Sequence, residues 1–157
     1  MAKARKIPYF NPEQPLNICL RKILRTRFNE MYSYEKGTIA GKDIEYLHDM
    51  RVSSRRVQAA LKIFRGAFPR KKFKNIYLKL RTLIRTLGEV RHYDVLIDML
   101  VKYRNKLGDK ERKAFDLLII RQNTIREQKR KILINIIKQL EKSGSKEEFY
   151  KFITEAL

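Results

Sequence analysis

Residues 48–64 read HDMRVSSRRVQAALKIF, and the way this stretch folds decides the architecture. On a helix, Met50, Val57, Leu61 and Phe64 share one face, while His48, Arg51, Arg55 and Lys62 gather within about 60° of one another on a second face. The stretch is therefore an amphipathic helix whose polar side is a cationic stripe, led by a histidine.

Outward from this helix the 3.6-residue period recurs, and no segment alternates convincingly as a strand, so the chain reads as all-α. Upstream, a helix is expected from about Pro15 to Tyr34, because Pro suits a first turn and Leu16, Leu20, Ile23, Leu24 and Met31 fall on one face. EKGTIAGK breaks it. The helix of the opening stretch starts after Asp43, an N-cap with Glu45 in the first turn, and runs to about Arg65 before GAFP stops it. Ile76, Leu80, Leu83, Ile84 and Leu87 stripe a third helix that reaches about Gly88, and Asp94 is placed to cap a fourth that ends near LGD. Asp109 is expected to cap a long fifth helix to about Lys142, and Ser145 with Glu148 spells a capping box for a sixth. About six helices joined by short loops predict a helical bundle over residues 15–157, preceded by a basic N-terminal arm over residues 1–14.

At 157 residues the chain suits one domain with a sizeable core. Its 37 Lys plus Arg against 17 Asp plus Glu give a formal charge of +20, while 43% hydrophobic residues argue against disorder. A compact body with that charge repels itself, so an anionic partner is implied: nucleic acid, anionic lipid or a free polyanion. The single Cys19 leaves no intramolecular disulfide, fits a reducing cytosol, and sits on an apolar face as core filler. No apolar run approaches the ~18 residues of a membrane span, and the leader MAKARKIPYFNPEQP lacks the apolar stretch of a secretory signal. Membrane insertion is not expected, and a cytoplasmic location is.

The third helix repeats the arrangement of the opening stretch, with Lys74, Arg81 and Arg85 on one side and Leu80, Leu83 and Leu87 on the other. Two antiparallel helices burying their apolar faces together would set the two cationic stripes side by side as walls of a groove suited to a chain of phosphates. Arginine suits that task because its planar fork holds two phosphate oxygens and stays charged. Almost no Asp or Glu interleaves with the stripes, whereas an ordinary exposed face mixes signs. On the fifth helix, Gln122, Arg126 and Lys129 interrupt an apolar stripe. Arg126 and Lys129 are candidates for the same groove, with Arg121, Arg130 and Lys131 at its rim.

The pair His48-Asp49 invites a metal-dependent hydrolase reading, but such enzymes take a histidine ligand upstream, and His48 is the first histidine in the chain. His92 stands in GEVRHYD without metal-ligand spacing, no Gly-rich phosphate loop occurs, and no nucleophile has a recognisable base. The expectation is a non-catalytic protein without cofactor or metal.

Two segments, DIEYLHDMRVSSRRVQAALKIF and LRTLIRTLGEVRHYDVLIDML, resemble the conserved histidine α-helical domain, or CHAD, family. Its consensus runs approximately H-x-x-R-V-x-x-R-R-L-R-x-x-L-x-x-F and then L-x-x-x-L-G-x-x-R-D-x-D-V-L. The resemblance implies helical bundles around a basic groove and affinity for inorganic polyphosphate rather than catalysis. It gives His48, Arg51, Arg55 and Arg56 the family's histidine and basic positions, and Arg81, Arg91 and Asp94 those of the second motif, the last two at the turn into the fourth helix. Gln58 stands where the family has an arginine, and His92 where it has an aspartate.

A full family domain is about twice this length and repeats the motif, so the resemblance covers the amino-terminal half of that architecture. Either the chain is half of a longer protein, or two copies form a homodimer across the missing-half surface, with their His48 stripes bordering one channel. Polyphosphate lacks bases, so its recognition needs closely spaced cations and no stacking platform. The aromatic residues mostly fall in core stripes. DNA or RNA binding at low salt is the other reading, through counterion release. His48 can donate hydrogen bonds to phosphate oxygen, and binding is expected to strengthen on acidification. Association with polyphosphate granules follows from the same expectation.

Overall fold

The computed structural model describes residues 3–155, and the last residues of the expected bundle, 156–157, lie outside them. The described elements are α-helices joined by short connections: α1 (Leu16–Ser33), α2 (Glu35–Ala40), α3 (Ile44–Ile63), α4 (Arg70–Arg104), α5 (Asp109–Lys142) and α6 (Ser145–Thr154), with a 3-10 turn at Arg65–Ala67 between α3 and α4. No strand occurs among the described residues, and the chain is all-α.

Local chemistry explains most of the boundaries. Pro15 precedes the first turn of α1 with its fixed φ, and Leu20, Leu24, Phe28 and Met31 repeat at helical spacing on the buried face. The Asp43 carboxylate accepts from the Glu45 N–H at 2.8 Å and caps α3. Helix α2 ends at Gly41, whose φ of +66° is left-handed. The Arg130 guanidinium packs against Gly41 and donates to the Ile39 carbonyl at 2.6 Å, which ties α5 to the end of α2.

The core lies where α1, α3, the first two-thirds of α4 and the C-terminal half of α5 meet. Leu20, Leu24, Met50, Val57, Leu61, Leu87, Val90, Leu133 and Ile137 fill it. Helix α6 closes one end, with Phe149 stacked on Phe28 at 3.6 Å and Phe152 on Phe68 at 4.1 Å. Cys19 is buried as expected.

Several sequence expectations need correction. The third and fourth expected helices are one: α4 runs unbroken from Arg70 to Arg104, about 52 Å at 1.5 Å per residue. Gly88 lies within it, and Asp94 is a buried mid-helix residue, not a cap. The segment EKGTIAGK holds the short helix α2 rather than a loop. Gly108, not Asp109, is the N-cap of α5, and the start of α6 has no capping box: Gly144 precedes it, and Ser145 shares a hydrogen bond with Ser143. The described part of the basic arm is strapped along α1, where Lys22 donates to the Tyr9 carbonyl at 2.6 Å and Arg27 to the Arg5 carbonyl at 2.9 Å. Met1 and Ala2, which begin that arm, lie outside the described residues.

Beyond Asp94 the two long helices project as a hairpin. No residue from Val95 to Ile132 is buried. At its tip Tyr103 stacks on Phe115, and Arg104 forks onto the Asp116 carboxylate at 2.6 and 3.0 Å.

Candidate polyanion site

Helices α3 and α4 run antiparallel, and three contacts fix their register. A methyl group placed on Gly88 would lie 3.7 Å from Arg51 Nε. Gln58 Nε2 donates to the Tyr77 hydroxyl at 3.2 Å, and the Arg65 guanidinium sits 5.9 Å from the Phe73 ring centre. Arg51, Arg55, Gln58 and Lys62 lie within about 60° on α3, and Lys74, Tyr77, Arg81, Arg85 and Gly88 within about 80° on α4. The two expected stripes therefore flank one seam. Gln58, at the family's arginine position, closes its middle with a neutral contact to Tyr77.

The seam's charge follows from a run of sequence that contains no acid. From Met50 to Gly88 there are twelve lysines and arginines and no Asp or Glu. Arg51, Arg55, Lys62, Lys74 and Arg81 make no ion pair among the described residues. Arg55, Lys62, Lys74 and Arg81 are exposed, and Arg51 is half-buried against Gly88. At the end of the seam nearest the 3-10 turn, Lys62, Arg65, Arg70 and Lys74 surround a groove of about 1000 Å³ floored by Phe68, Phe73 and Tyr77. The stripe reading missed Arg65 and Arg70 because both lie at the break between helices: Arg65 opens the 3-10 turn, and Arg70 is the first residue of α4. Their place in the acid-free run is the signal that marks them.

The remaining candidates are held by carboxylates. Arg56 Nη1 pairs with Glu30 at 2.7 Å, and Arg27 joins the same fully buried carboxylate at 3.0 Å. Arg126 Nε meets Asp94 at 2.5 Å and its Nη1 meets Glu127 at 2.5 Å, while Arg91 approaches Asp94 at 4.0 Å. Lys129 pairs with Glu89 at 3.1 Å, and Arg85 lies 3.9 Å from the same carboxylate. Arg85, Lys129 and His92 border a shallow recess of about 390 Å³ beside Gly88. Of the rim candidates, Arg121 and Lys131 are exposed, whereas Arg130 is committed to Ile39 and Glu127.

His48 begins the α3 stripe, half-buried, and its Nδ1 is buried without a hydrogen-bond partner among the described residues. Among these residues no three His, Cys, Asp or Glu side chains gather as a metal-ligand set, and no helix is long and apolar enough to cross a membrane. What the arrangement offers chemically is a row of guanidinium and ammonium donors with no competing acceptor charge beside them.

No curated protein and no solved structure matches the chain. A family model described as CHAD domain matches residues 22–156, nearly the whole chain, so the protein belongs to the CHAD-domain family, which is associated with polyphosphate binding.

Proposed function

We propose that the protein is a non-catalytic module that binds inorganic polyphosphate along the α3–α4 seam. The observation that carries this reading is the acid-free run from Met50 to Gly88, folded back on itself so that Arg51, Arg55 and Lys62 of α3 and Lys74 and Arg81 of α4 border one line. Arg51, Arg55, Lys62, Lys74 and Arg81, which form no ion pairs among the described residues, make the direct phosphate contacts, and Arg65 and Arg70 extend the row into the groove at its end. His48 adds a hydrogen-bond donor at the opposite end. Arg56, Arg91, Arg126 and Lys129 hold the frame and contribute to the field, since each already serves a carboxylate. The seam offers little for a base to stack on: Phe73 is buried, and Tyr77 is half-buried and stacked against it. Two-fold pairing of the chain is part of the proposal, as is cytoplasmic residence where polyphosphate accumulates.

The test is a competition titration at about 150 mM salt, where non-specific electrostatic attraction is much weakened, with long-chain polyphosphate against duplex DNA at equal phosphate concentration. Preference for polyphosphate is the expected result. Equal or stronger DNA binding would put nucleic acid in its place, with the +20 charge as the cause.

A further inference from the structure

The hairpin of α4 and α5 leaves an apolar stripe uncovered. Val95, Met99 and Tyr103, four residues apart, lie on one line of α4 and are 52, 56 and 59% exposed. The line passes onto α5 through the Tyr103–Phe115 stack and continues to Leu118, one turn further along. At about half exposure each, these side chains present on the order of 400 Å² of apolar surface, enough to form the centre of an interface with ~800 Å² per partner. The stripe also prolongs a line already described. At about 100° per residue, Val95, Met99 and Tyr103 fall on the same side of α4 as Lys74, Arg81 and Arg85. The basic row thus becomes apolar where α3, which begins at Ile44, no longer runs alongside.

Charge identifies the occupant. A chain with a formal charge of +20 is repelled by its own copy wherever only cations face outward, as along residues 50–88. The hairpin differs: Asp98 and Lys102 border the stripe on α4, and Glu111 precedes Phe115 by one turn on α5. A two-fold contact presents a patch to itself, so it needs an apolar centre with both signs around it, and this surface has them. Two hairpins laid together also make a four-helix bundle, in which each arm helix gains the second neighbour that it lacks alone.

We infer that a second copy of this chain covers the Val95–Met99–Tyr103–Leu118 stripe through an isologous contact between the α4–α5 hairpins. The inference rests on the pairing proposed above and fixes its surface. Because the stripe continues the basic row, a two-fold axis running along the hairpins turns the two α3–α4 seams toward one cleft. A polyanion lying there neutralises both, so polyphosphate tightens the dimer.

The experiment is sedimentation velocity on the full chain, stripped of bound polyanion, in about 0.5 M salt, where surface charge is screened within ~4 Å. Met99→Asp is compared with Leu117→Asp, which places the same charge on an exposed position of α5 outside the stripe. The wild type and Leu117→Asp are expected to be dimers at tens of micromolar and Met99→Asp a monomer, with equal helical circular dichroism. Polyphosphate added at lower salt should tighten the wild-type dimer at least tenfold. A wild type that stays monomeric under both conditions overturns the pairing, and a dimer that Met99→Asp leaves intact overturns the surface. Binding of a short polyphosphate is read separately by calorimetry: its retention by the Met99→Asp monomer keeps the ligand reading standing even if the pairing fails.

Discussion

At the residue scale, the cations divide into those that hold the fold and those available to a ligand. Arg56 illustrates the first kind, since Glu30 is fully buried and depends on Arg56 and Arg27 for its charge balance. Arg56→Ala strands part of that charge and should cost about 2 kcal/mol in urea unfolding, below the ~3–5 of a fully broken buried pair because Arg27 remains. Arg51 and Arg55 illustrate the second kind. Reversing both to Glu should weaken polyphosphate binding at least tenfold while the urea midpoint barely moves, and a large loss of stability instead would assign them to the frame. The sequence marked these arginines alike, because the family motif and the helical stripe register charge and spacing only. The carboxylates that separate them come from afar: Glu30 is 26 residues from Arg56, and Asp94 is 32 from Arg126. No local pattern encodes such partners.

At the element scale, periodicity located the buried faces of α1, α3 and the first two-thirds of α4, but on α5 only Leu133 and Ile137 of the apolar stripe are buried, and chemistry at single positions misplaced some ends. Gly88 and Asp94 read as a stop and a cap because those residue types usually serve that way, yet packing on α5 and α3 carries α4 straight through both. This has a direct test. A methyl on Gly88 meets only Arg51 Nε, at an ordinary 3.7 Å, so Gly88→Ala should stabilise the protein by about 0.5–1 kcal/mol, read as a raised melting temperature. At the hairpin tip, hydrogen bonding to Arg104 holds the Asp116 carboxyl below its usual range. The group's folded pKa is depressed, so its contribution is present above about pH 4 and lost as the pH falls through the lowered value. Arg104→Ala should return the Asp116 carboxyl toward the ordinary range in a carbon-detected NMR titration. The short helix α2 escaped notice because six residues with a central glycine carry too little periodicity, and Arg130 fixes its end by donating to the Ile39 carbonyl, 91 residues away.

At the scale of the whole molecule, a ligand that binds only the folded chain stabilises it. Polyphosphate at a hundred times its dissociation constant adds about 2.7 kcal/mol, a rise of about 5–10 °C in melting temperature for a chain of this length. An unchanged melting temperature would count against binding to the native fold. The fold class and the basic seam were legible because each follows from one helical period, whereas the projecting hairpin was not, since it reflects how far α4 outruns α3. The segregation of charge has a further consequence. Twelve of the 37 cations lie in the acid-free run, and five of them, Arg51, Arg55, Lys62, Lys74 and Arg81, border the seam with no ion pair among the described residues, so the seam is a patch of one sign on one side of the molecule. In the field of a polyanion such a body turns before it touches. Encounters are then oriented before collision, so the arrangement that sets where the ligand rests also raises the fraction of collisions that succeed, and the association rate should fall steeply with added salt.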